Sequence, residues 1–416
     1  MRILSSKKLK FSAEHKQVLK EVVIKESGPG TILRDFNMLL QFFGERGLPM
    51  TGTHQLPIRA LPDINVRMTQ PLRQGLKRPQ QKSYPHINGL YLLVRASGLT
   101  FVGGTSKKPL LFVDKEVVQI WHRLNPTEQY FTLMETWLLR GKTEIIGEPG
   151  SMFLIPDHFG EWMRFFEEIP KKGREIAGDR DAKYRLRYAP GWYNLGLFEM
   201  FGLISVRDGS PVEGKAWNVE HVYRTPFGDA LLAMLYSGFF EDMENIYELE
   251  DQKEVPFGML QPILQPCFPD WRNNLTAPKW IFREGTHIFK VSMEDVWYRI
   301  AIPADLTLDT LASAILDAVE FDNDHLYQFS YKNRCGALDR VHHPYMEEGP
   351  WTSEVLVGDL PLEIEQTMTF LFDFGDKWEF EVALDQIDPD MAVEKQVLLE
   401  IHGEPPEQYP MWDEEE

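Results

Sequence analysis

Residues 296–321 read VWYRIAIPADLTLDTLASAILDAVEF, and this stretch decides the fold of the last third of the chain. Its first part alternates apolar and polar residues, which is typical of a β-strand with one buried face. Pro303 ends the strand because it cannot donate a ladder hydrogen bond. Apolar residues then return at helical spacing, which predicts a helix over about 307–321 with Thr307 as its N-cap.

The segments on either side of this stretch continue the pattern. The chain from Ile288 and the residues 325–333 alternate as further strands, and residues 368–384 have the pattern of a β-hairpin. One helix among several strands predicts an α+β domain, a sheet with one helix across it. By analogy, this layout is β-grasp-like.

Residues 369–384 form the hairpin TFLFDFGDKWEFEVAL. The alternation of its apolar and charged residues limits which residues of the two strands can pair. A two-residue turn would pair Phe372 with Glu379 and mix core and solvent faces. An odd loop of three residues instead pairs Phe372 with Phe380 and keeps the faces consistent. We therefore predict Phe372 beside Phe380, with Gly375 supplying the positive φ that such a loop needs.

The hairpin contains Asp373-Phe374-Gly375, which matches the magnesium-binding motif of protein kinases in letters only. The chain lacks the glycine-rich loop and the H-R-D loop of a kinase. The predicted register places Asp373 opposite Glu379, and like charges facing each other are unfavourable. We expect either solvated acids or a cation near Asp373, with Arg299 as the first candidate and His325 as the second.

The last third resembles the plasmid pRiA4b ORF-3-like family over about residues 285–412. The resemblance rests on a W-x-R strand, a helix followed by H-L-x-x-F, and a D-F-G-D-x-W hairpin. Phe380 departs from the pattern, since many members carry histidine there, so a metal site using that histidine would be incomplete. The family has no established activity, and some members are labelled passengers of insertion elements.

The resemblance implies a set of motif residues in this chain. They are Trp297, Arg299, His325, Phe329, Asp373, Gly375, Asp376 and Trp378. From this set we predict a partner-binding surface. Its residues are Trp297, Arg299, His325, Asp373, Asp376 and Trp378.

Two segments in the first two thirds of the chain share one order of features. Residues 87–124 and 193–235 each contain an apolar stretch, a Gly-Leu pair, a glycine-containing turn and a final helical pattern. Helix, hairpin and helix in this order are typical of a winged helix-turn-helix. We predict two mainly helical winged-helix-like modules, and two unrelated α/β segments are the alternative.

These patterns together predict an α+β multidomain chain in four parts. The parts are a basic, winged-helix-like domain at 1–147, a second winged-helix-like domain at 148–261, a proline-rich linker at 262–284 and an acidic α+β domain at 285–416.

Charge is distributed unevenly along the chain. Residues 1–110 hold 18 Lys+Arg against 6 Asp+Glu, whereas residues 285–416 hold 7 against 30. The basic residues of segment 59–82 are Arg59, Arg67, Arg73, Lys77, Arg78 and Lys82, with Asp63 as the one acid between them. We predict that these six contact nucleic-acid phosphates. A solvated loop, or one docked on the acidic third, is the alternative.

Other classes of protein find little support in the sequence. Cys267 and Cys335 are the only cysteines, too few for a disulfide framework or a thiolate metal cage. No apolar run approaches the ~20 residues of a membrane span, and the first residues do not form a signal peptide. P-loop, zinc-protease and nucleophile-elbow motifs are missing. We expect a cytoplasmic protein without metal, cofactor or catalytic residues.

The sequence therefore favours a non-enzymatic protein associated with nucleic acid or with mobile elements. Its basic N-terminal region would contact nucleic acid, with DNA as the candidate. The acidic domain would bind a protein partner or mask the basic region. The alternative is a protein-interaction module with no nucleic-acid role.

Overall fold

The computed structural model contains both helices and sheets, with the largest antiparallel sheet near the C-terminus. This confirms the predicted α+β class. The described residues are 10–44, 46–105, 108–148, 155–242, 255–276 and 281–409. The chain forms two compact units, one containing residues 1–101 and 110–278, the other 102–109 and 279–416.

The first unit is mainly helical. Its helices are α1 Ala13–Glu21, α2 Ile32–Phe43, α3 Leu61–Arg67, α4 Pro85–Ala96, α5 Lys115–Arg123, α6 Pro126–Glu135, α7 Ile155–Glu168, α8 Arg180–Tyr188, α9 Trp192–Met200, α10 Pro226–Leu235 and α11 Gln261–Leu264. The strands of this part of the chain are β1 Leu48–Pro49, β2 Thr100–Thr105, β3 Lys108–Val113, β4 Arg174–Glu175, β5 Ile204–Asp208 and β6 Val219–Arg224. None of the described helices is long and apolar enough to cross a membrane.

The two segments with shared sequence features also share one order of elements. The first contains α4, β2, β3 and α5, and the second contains α9, β5, β6 and α10. A two-residue strand from earlier in the chain completes each sheet, in the orders β1-β3-β2 and β4-β6-β5. The predicted order of helix, hairpin and helix is therefore present twice.

Helices α4 and α9 pack closely because each has a glycine at the contact. A Cβ added to Gly89 of α4 would lie 2.7 Å from Leu197 Cγ, and one added to Gly196 of α9 would lie 3.1 Å from His86 N. Larger residues would force the helices apart or shift their side chains. Every residue of α4 after His86 is buried, so almost none of this helix reaches solvent.

Two buried carboxylates of α6 accept hydrogen bonds from residues 258–273, which are distant in sequence but belong to the same unit. Glu135 accepts the N–H groups of Gly258 and Leu260 at 2.7 Å each. Glu128 accepts three hydrogen bonds from residues 272–273, at 2.8 to 3.2 Å. Buried carboxylates normally need such partners. The segment before the second unit is therefore bound to α6.

The division into four parts stays a prediction. Residues 149–154, at the first predicted boundary, and 277–280, inside the predicted linker, lie outside the described residues. The described linker residues 262–276 belong to the first unit.

The second unit is a seven-stranded antiparallel sheet with one helix on its buried face. Its elements are β7 Thr286–Met293, β8 Val296–Pro303, α12 Leu308–Ala318, β9 Tyr327–Lys332, β10 Leu338–His342, β11 Thr367–Phe372, β12 Trp378–Asp388 and β13 Val397–His402. The strand order is β10-β9-β11-β12-β7-β8-β13. The predicted helix is confirmed, and Thr307 is its N-cap, with its hydroxyl accepting the N–H of Thr310 at 3.3 Å.

The hairpin of β11 and β12 has the predicted faces but not the predicted register. Phe370, Phe372 and Phe380 are all buried. Phe372 pairs with Trp378, and Phe370 pairs with Phe380, so the predicted Phe372–Phe380 pair is wrong. A shift of two residues leaves every side chain on its own face, and burial alone therefore cannot exclude it.

The loop of this hairpin is longer than predicted. Asp373 and Lys377 have positive φ, 55° and 57°, so the role predicted for Gly375 is wrong. The Asp373 carboxylate accepts the N–H of Gly375 at 2.8 Å, and the Asp373 carbonyl accepts that of Lys377 at 2.7 Å. Aspartate tolerates positive φ when its side chain bonds locally in this way.

The buried carboxyl of Glu135 predicts how the stability of the folded protein depends on pH. Burial raises its pKa to about 7, against the lowering effect of two backbone hydrogen bonds and of Arg140. The folded protein therefore holds this proton more tightly than the unfolded chain, and stability falls as pH rises from about 4.5 to about 7. We expect roughly 3 kcal/mol of this fall to come from Glu135 and to disappear in Glu135→Gln.

Chemical denaturation of both proteins across this pH range measures the effect. At acid pH, the Glu135→Gln variant should also be less stable than the wild type. The side-chain N–H of the glutamine would face one of the two backbone N–H groups that donate to Glu135. Glu116→Gln, at an exposed position of α5, is the control and should keep the wild-type slope. Parallel pH curves for the wild type and Glu135→Gln would contradict the assignment.

Candidate functional site

All six basic residues predicted to contact nucleic acid are exposed. The six are Arg59 in the turn Ile58–Ala60, Arg67 at the end of α3, Arg73, Lys77 and Arg78 in the connection after α3, and Lys82 in the turn Gln81–Ser83. Residues 59–82 are called the basic segment below.

Polar contacts hold the basic segment on its inner side. Asn65 accepts the N–H of Leu72 at 2.9 Å and donates to the Leu72 carbonyl at 3.0 Å. The buried carboxylate of Asp35 accepts both the N–H and the hydroxyl of Thr69 at 2.7 Å. Met68 and Leu72 are buried as apolar anchors. The exposed cations therefore stand on an ordered turn.

Gly75 joins the basic segment to the loop between β5 and β6. Its N–H donates to the Lys215 carbonyl, and its carbonyl accepts the N–H of Gly214, both at 2.9 Å. A Cβ at position 75 would lie 1.9 Å from the Val212 carbonyl oxygen, so only glycine fits. Lys215 is exposed, and its charge adds to those of the segment.

The cations of the basic segment form no ion pairs among the described residues, and Lys82 alone of the six is shown to act on a nearby acid, Glu148. Within the described ranges, none of the six lies at ion-pair distance from a carboxylate. Arg67 lies over the ring of Phe42, with Cζ 5.8 Å from its centroid. Lys82 opposes the rise in the pKa of Glu148 that burial causes. The segment can thus offer its charges to a ligand.

A cleft of about 280 Å³ in the first unit contains a histidine–carboxylate pair. His86 Nε2 lies 2.8 Å from Glu199 Oε2, and Glu199 Oε1 accepts the N–H of Val206 at 3.2 Å. The Trp217 ring lies 4.8 Å from His86 and donates to Asp208 at 2.7 Å. Burial raises the pKa of Asp208. Sequence reasoning missed this cluster because its members come from α4, α9 and β5 with no characteristic spacing.

The cleft places a histidine beside a carboxylate, and the Thr225 hydroxyl that also lines it is engaged elsewhere. Thr225 donates to the Gly202 carbonyl at 2.8 Å and caps α10. In the part of the chain that the structure describes, no three His, Cys, Asp or Glu side chains stand close enough to hold a metal ion.

The six predicted partner-binding residues fall into two groups. Trp297 and Arg299 lie on β8, on the face opposite α12. Arg299 pairs with Asp385 at 2.6 Å and Glu400 at 2.8 Å, so its predicted pairing with Asp373 is wrong. The reason is strand order: β8 lies between β7 and β13, away from β11.

The other four residues are Asp373, Asp376 and Trp378 at the tip of the β11–β12 hairpin and His325, which lies beside this tip. His325 Nε2 is 3.5 Å from Asp373 Oδ2, so the second residue predicted to lie near Asp373 does lie there. His325 comes close because β9, which follows it, pairs with β11. Asp376 is exposed, and the half-buried Trp378 ring lies 5.0 Å from that of Phe321.

The comparisons with known proteins concern the second unit. A family model described as plasmid pRiA4b ORF-3-like protein matches residues 288–409, which confirms the resemblance. An uncharacterised protein of Sinorhizobium fredii, y4hQ, is 28% identical over 117 residues, or 27% of this chain. The match spans 58% of that relative's length. A solved protein of unknown function from Methanosarcina mazei Go1, MM3350, is 25% identical over 30% of this chain and 72% of its own, with a TM-score of 0.27.

The contacts of Asp35 with Thr69 predict that this carboxylate keeps the basic segment in its folded conformation. Asp35→Ala removes the acceptor of Thr69 and should cost about 1–3 kcal/mol locally. We expect limited trypsin digestion to cut after Arg73 or Lys77 several-fold faster in this variant, because cleavage follows local opening.

Asp63→Ala is the matched control, since Asp63 is an exposed acid on α3. It should leave the cleavage rate unchanged. Equal cleavage of the Asp35→Ala variant and the wild type would show that the segment is not held by this carboxylate.

Proposed function

We propose that the first unit contacts nucleic acid through the basic segment and the loop between β5 and β6. One observation carries the proposal. The paired backbones of Gly75 and residues 214–215 hold exposed cations from two distant parts of the chain side by side, and these cations form no ion pairs among the described residues. Fixed Lys and Arg side chains bind phosphates with little ordering cost.

We also propose that the first unit contains two winged-helix-like modules. Their elements would be α2-β1-α3-α4-β2-β3 and α7-β4-α8-α9-β5-β6. The repeated element order and the matching sheet orders support this reading. In helix-turn-helix proteins the last of the three helices enters the major groove. Here that helix would be α4 or α9.

The packing of α4 against α9 argues for a different mode of contact. Because both helices are largely buried, neither can enter a groove without separating the modules. We therefore assign the contact to the cations of the basic segment and to Lys215, and such contacts go to phosphates rather than base edges. The proposed function is therefore non-enzymatic, cytoplasmic and weakly sequence-dependent binding of DNA.

Neutralising the central cations tests the proposal. Arg73→Gln, Lys77→Gln and Arg78→Gln together should weaken binding to duplex DNA. The slope of log affinity against log salt should fall by about 2 to 3, at roughly 0.9 per lost phosphate contact. Fluorescence anisotropy over a salt series measures both quantities.

The control carries the same charge change on another exposed surface of the unit, as Lys16→Gln, Lys20→Gln and Lys25→Gln. It should leave the salt slope close to that of the wild type. If wild-type protein does not bind DNA, or if the two triple variants behave alike, the proposal is wrong.

A further inference from the structure

Helix α8 carries two aromatic residues on the side that faces solvent. Ala182 and Leu186 are its buried residues, and they lie on the opposite side of the helix. Tyr184 and Tyr188 are 63% and 62% exposed. Exposed apolar residues that are scattered singly are common on protein surfaces. Two exposed rings on one helix face are a larger surface of the kind that is enriched at interfaces.

The two rings form one continuous patch. Tyr184 and Tyr188 are four residues apart, so they follow each other along one ridge of the helix. Their ring centroids are 5.0 Å apart, and the ring planes are inclined by 57°. An aromatic pair at this spacing stabilises a helix only slightly. The contact between the rings therefore does not by itself account for two tyrosines at exposed positions.

Two arginines flank the rings. Arg180 lies on the same ridge one turn before Tyr184, and Arg187 lies three residues after Tyr184. Both arginines are exposed, and neither lies at ion-pair distance from a carboxylate within the described ranges. Arg187 Cζ is 5.9 Å from the ring centroid of Tyr188. The solvent-facing side of α8 thus combines aromatic rings with available positive charge.

The acids near this surface do not cancel its charge. Helix α8 holds four Lys and Arg residues and one acid, Asp181. Asp179 precedes the helix, and its carboxylate accepts the N–H groups of Asp181 and Ala182 at 2.9 Å each. Glu168 is 3.5 Å from Arg185, a residue of the neighbouring ridge. The ridge of the two tyrosines is therefore complementary to an anion.

We propose that α8 binds single-stranded nucleic acid. Unpaired bases would stack on Tyr184 and Tyr188, and the phosphates would meet Arg180 and Arg187. Proteins that bind single strands combine these two elements, aromatic rings for the bases and cations for the backbone. Here both elements lie within about two and a half turns of one helix.

The rings select this ligand over other anions. An acidic peptide matches only the two arginines, whereas a nucleotide strand matches the arginines and the rings. A duplex keeps its bases stacked on each other, so the tyrosines select unpaired bases. The inference rests on α8 and is independent of the proposed duplex contact of the basic segment.

Fluorescence anisotropy of the full-length protein with a labelled oligothymidylate of about 12 nucleotides tests the proposal. Tyr184→Ala combined with Tyr188→Ala should raise the Kd at least about tenfold, because the stacking contacts are lost. The slope of log affinity against log salt should stay unchanged, since no phosphate contact is lost. Tyr184→Phe combined with Tyr188→Phe keeps both rings and should keep the wild-type Kd, as should Tyr345→Ala at another exposed tyrosine.

The two arginines should have a different effect from the tyrosines. Arg180→Gln combined with Arg187→Gln should lower the salt slope by about 1.4, at roughly 0.7 per lost contact with a single strand. An abasic strand of the same length carries the phosphates without the bases. It should bind the wild type and the tyrosine-to-alanine variant equally.

The tyrosine substitutions are also made in the Arg73→Gln, Lys77→Gln and Arg78→Gln variant. There they should lower single-strand affinity by the same factor as in the wild type, so failure of the duplex proposal would not hide failure of this one. A wild type that does not bind oligothymidylate, or an unchanged Kd in the tyrosine-to-alanine variant, would overturn the proposal. Equal loss of binding to the abasic strand would also overturn it, because the tyrosines would then not stack on bases.

Discussion

The crossing of α4 and α9 is the constraint on which the first unit depends. Gly89 and Gly196 allow two apolar helices to pack so closely that nearly all of α4 is buried. This crossing joins the two repeated segments and sets His86 of α4 against Glu199 of α9. The same unit brings the basic segment to the loop between β5 and β6.

Burial of these helices has a direct consequence for function. A helix whose side chains fill a core contributes stability rather than recognition, so α4 and α9 do not offer their side chains to a ligand. Those loops are not free chain: Asp35, Asn65 and Gly75 hold the basic segment through backbone bonds. An interface of fixed cations on a rigid helical body fits phosphate binding without base readout.

Much of the second unit could be predicted because its signals are local. The apolar stripe and the Thr307 cap define α12 within a few residues, and alternation identified the buried face of the β11–β12 hairpin. The length of the loop between β11 and β12 could not be predicted from burial, since shifting the strand pairing by two residues keeps every side chain on the same face of the sheet. The partners of Arg299 depend on strand order, which no local pattern contains. The pairs Gly75–Lys215 and His86–Glu199 join residues more than a hundred positions apart and left no signal in a single sequence.

Amide hydrogen exchange with and without duplex DNA tests the central claim most directly, because it reports on every backbone segment at once. The account predicts new protection at residues 70–82 and 208–218, while α4 and α9 stay protected and unchanged. Protection that arises in α4 or α9 on binding, with none in the basic segment, would contradict it. That result would mean that the two helices separate and that one of them contacts DNA.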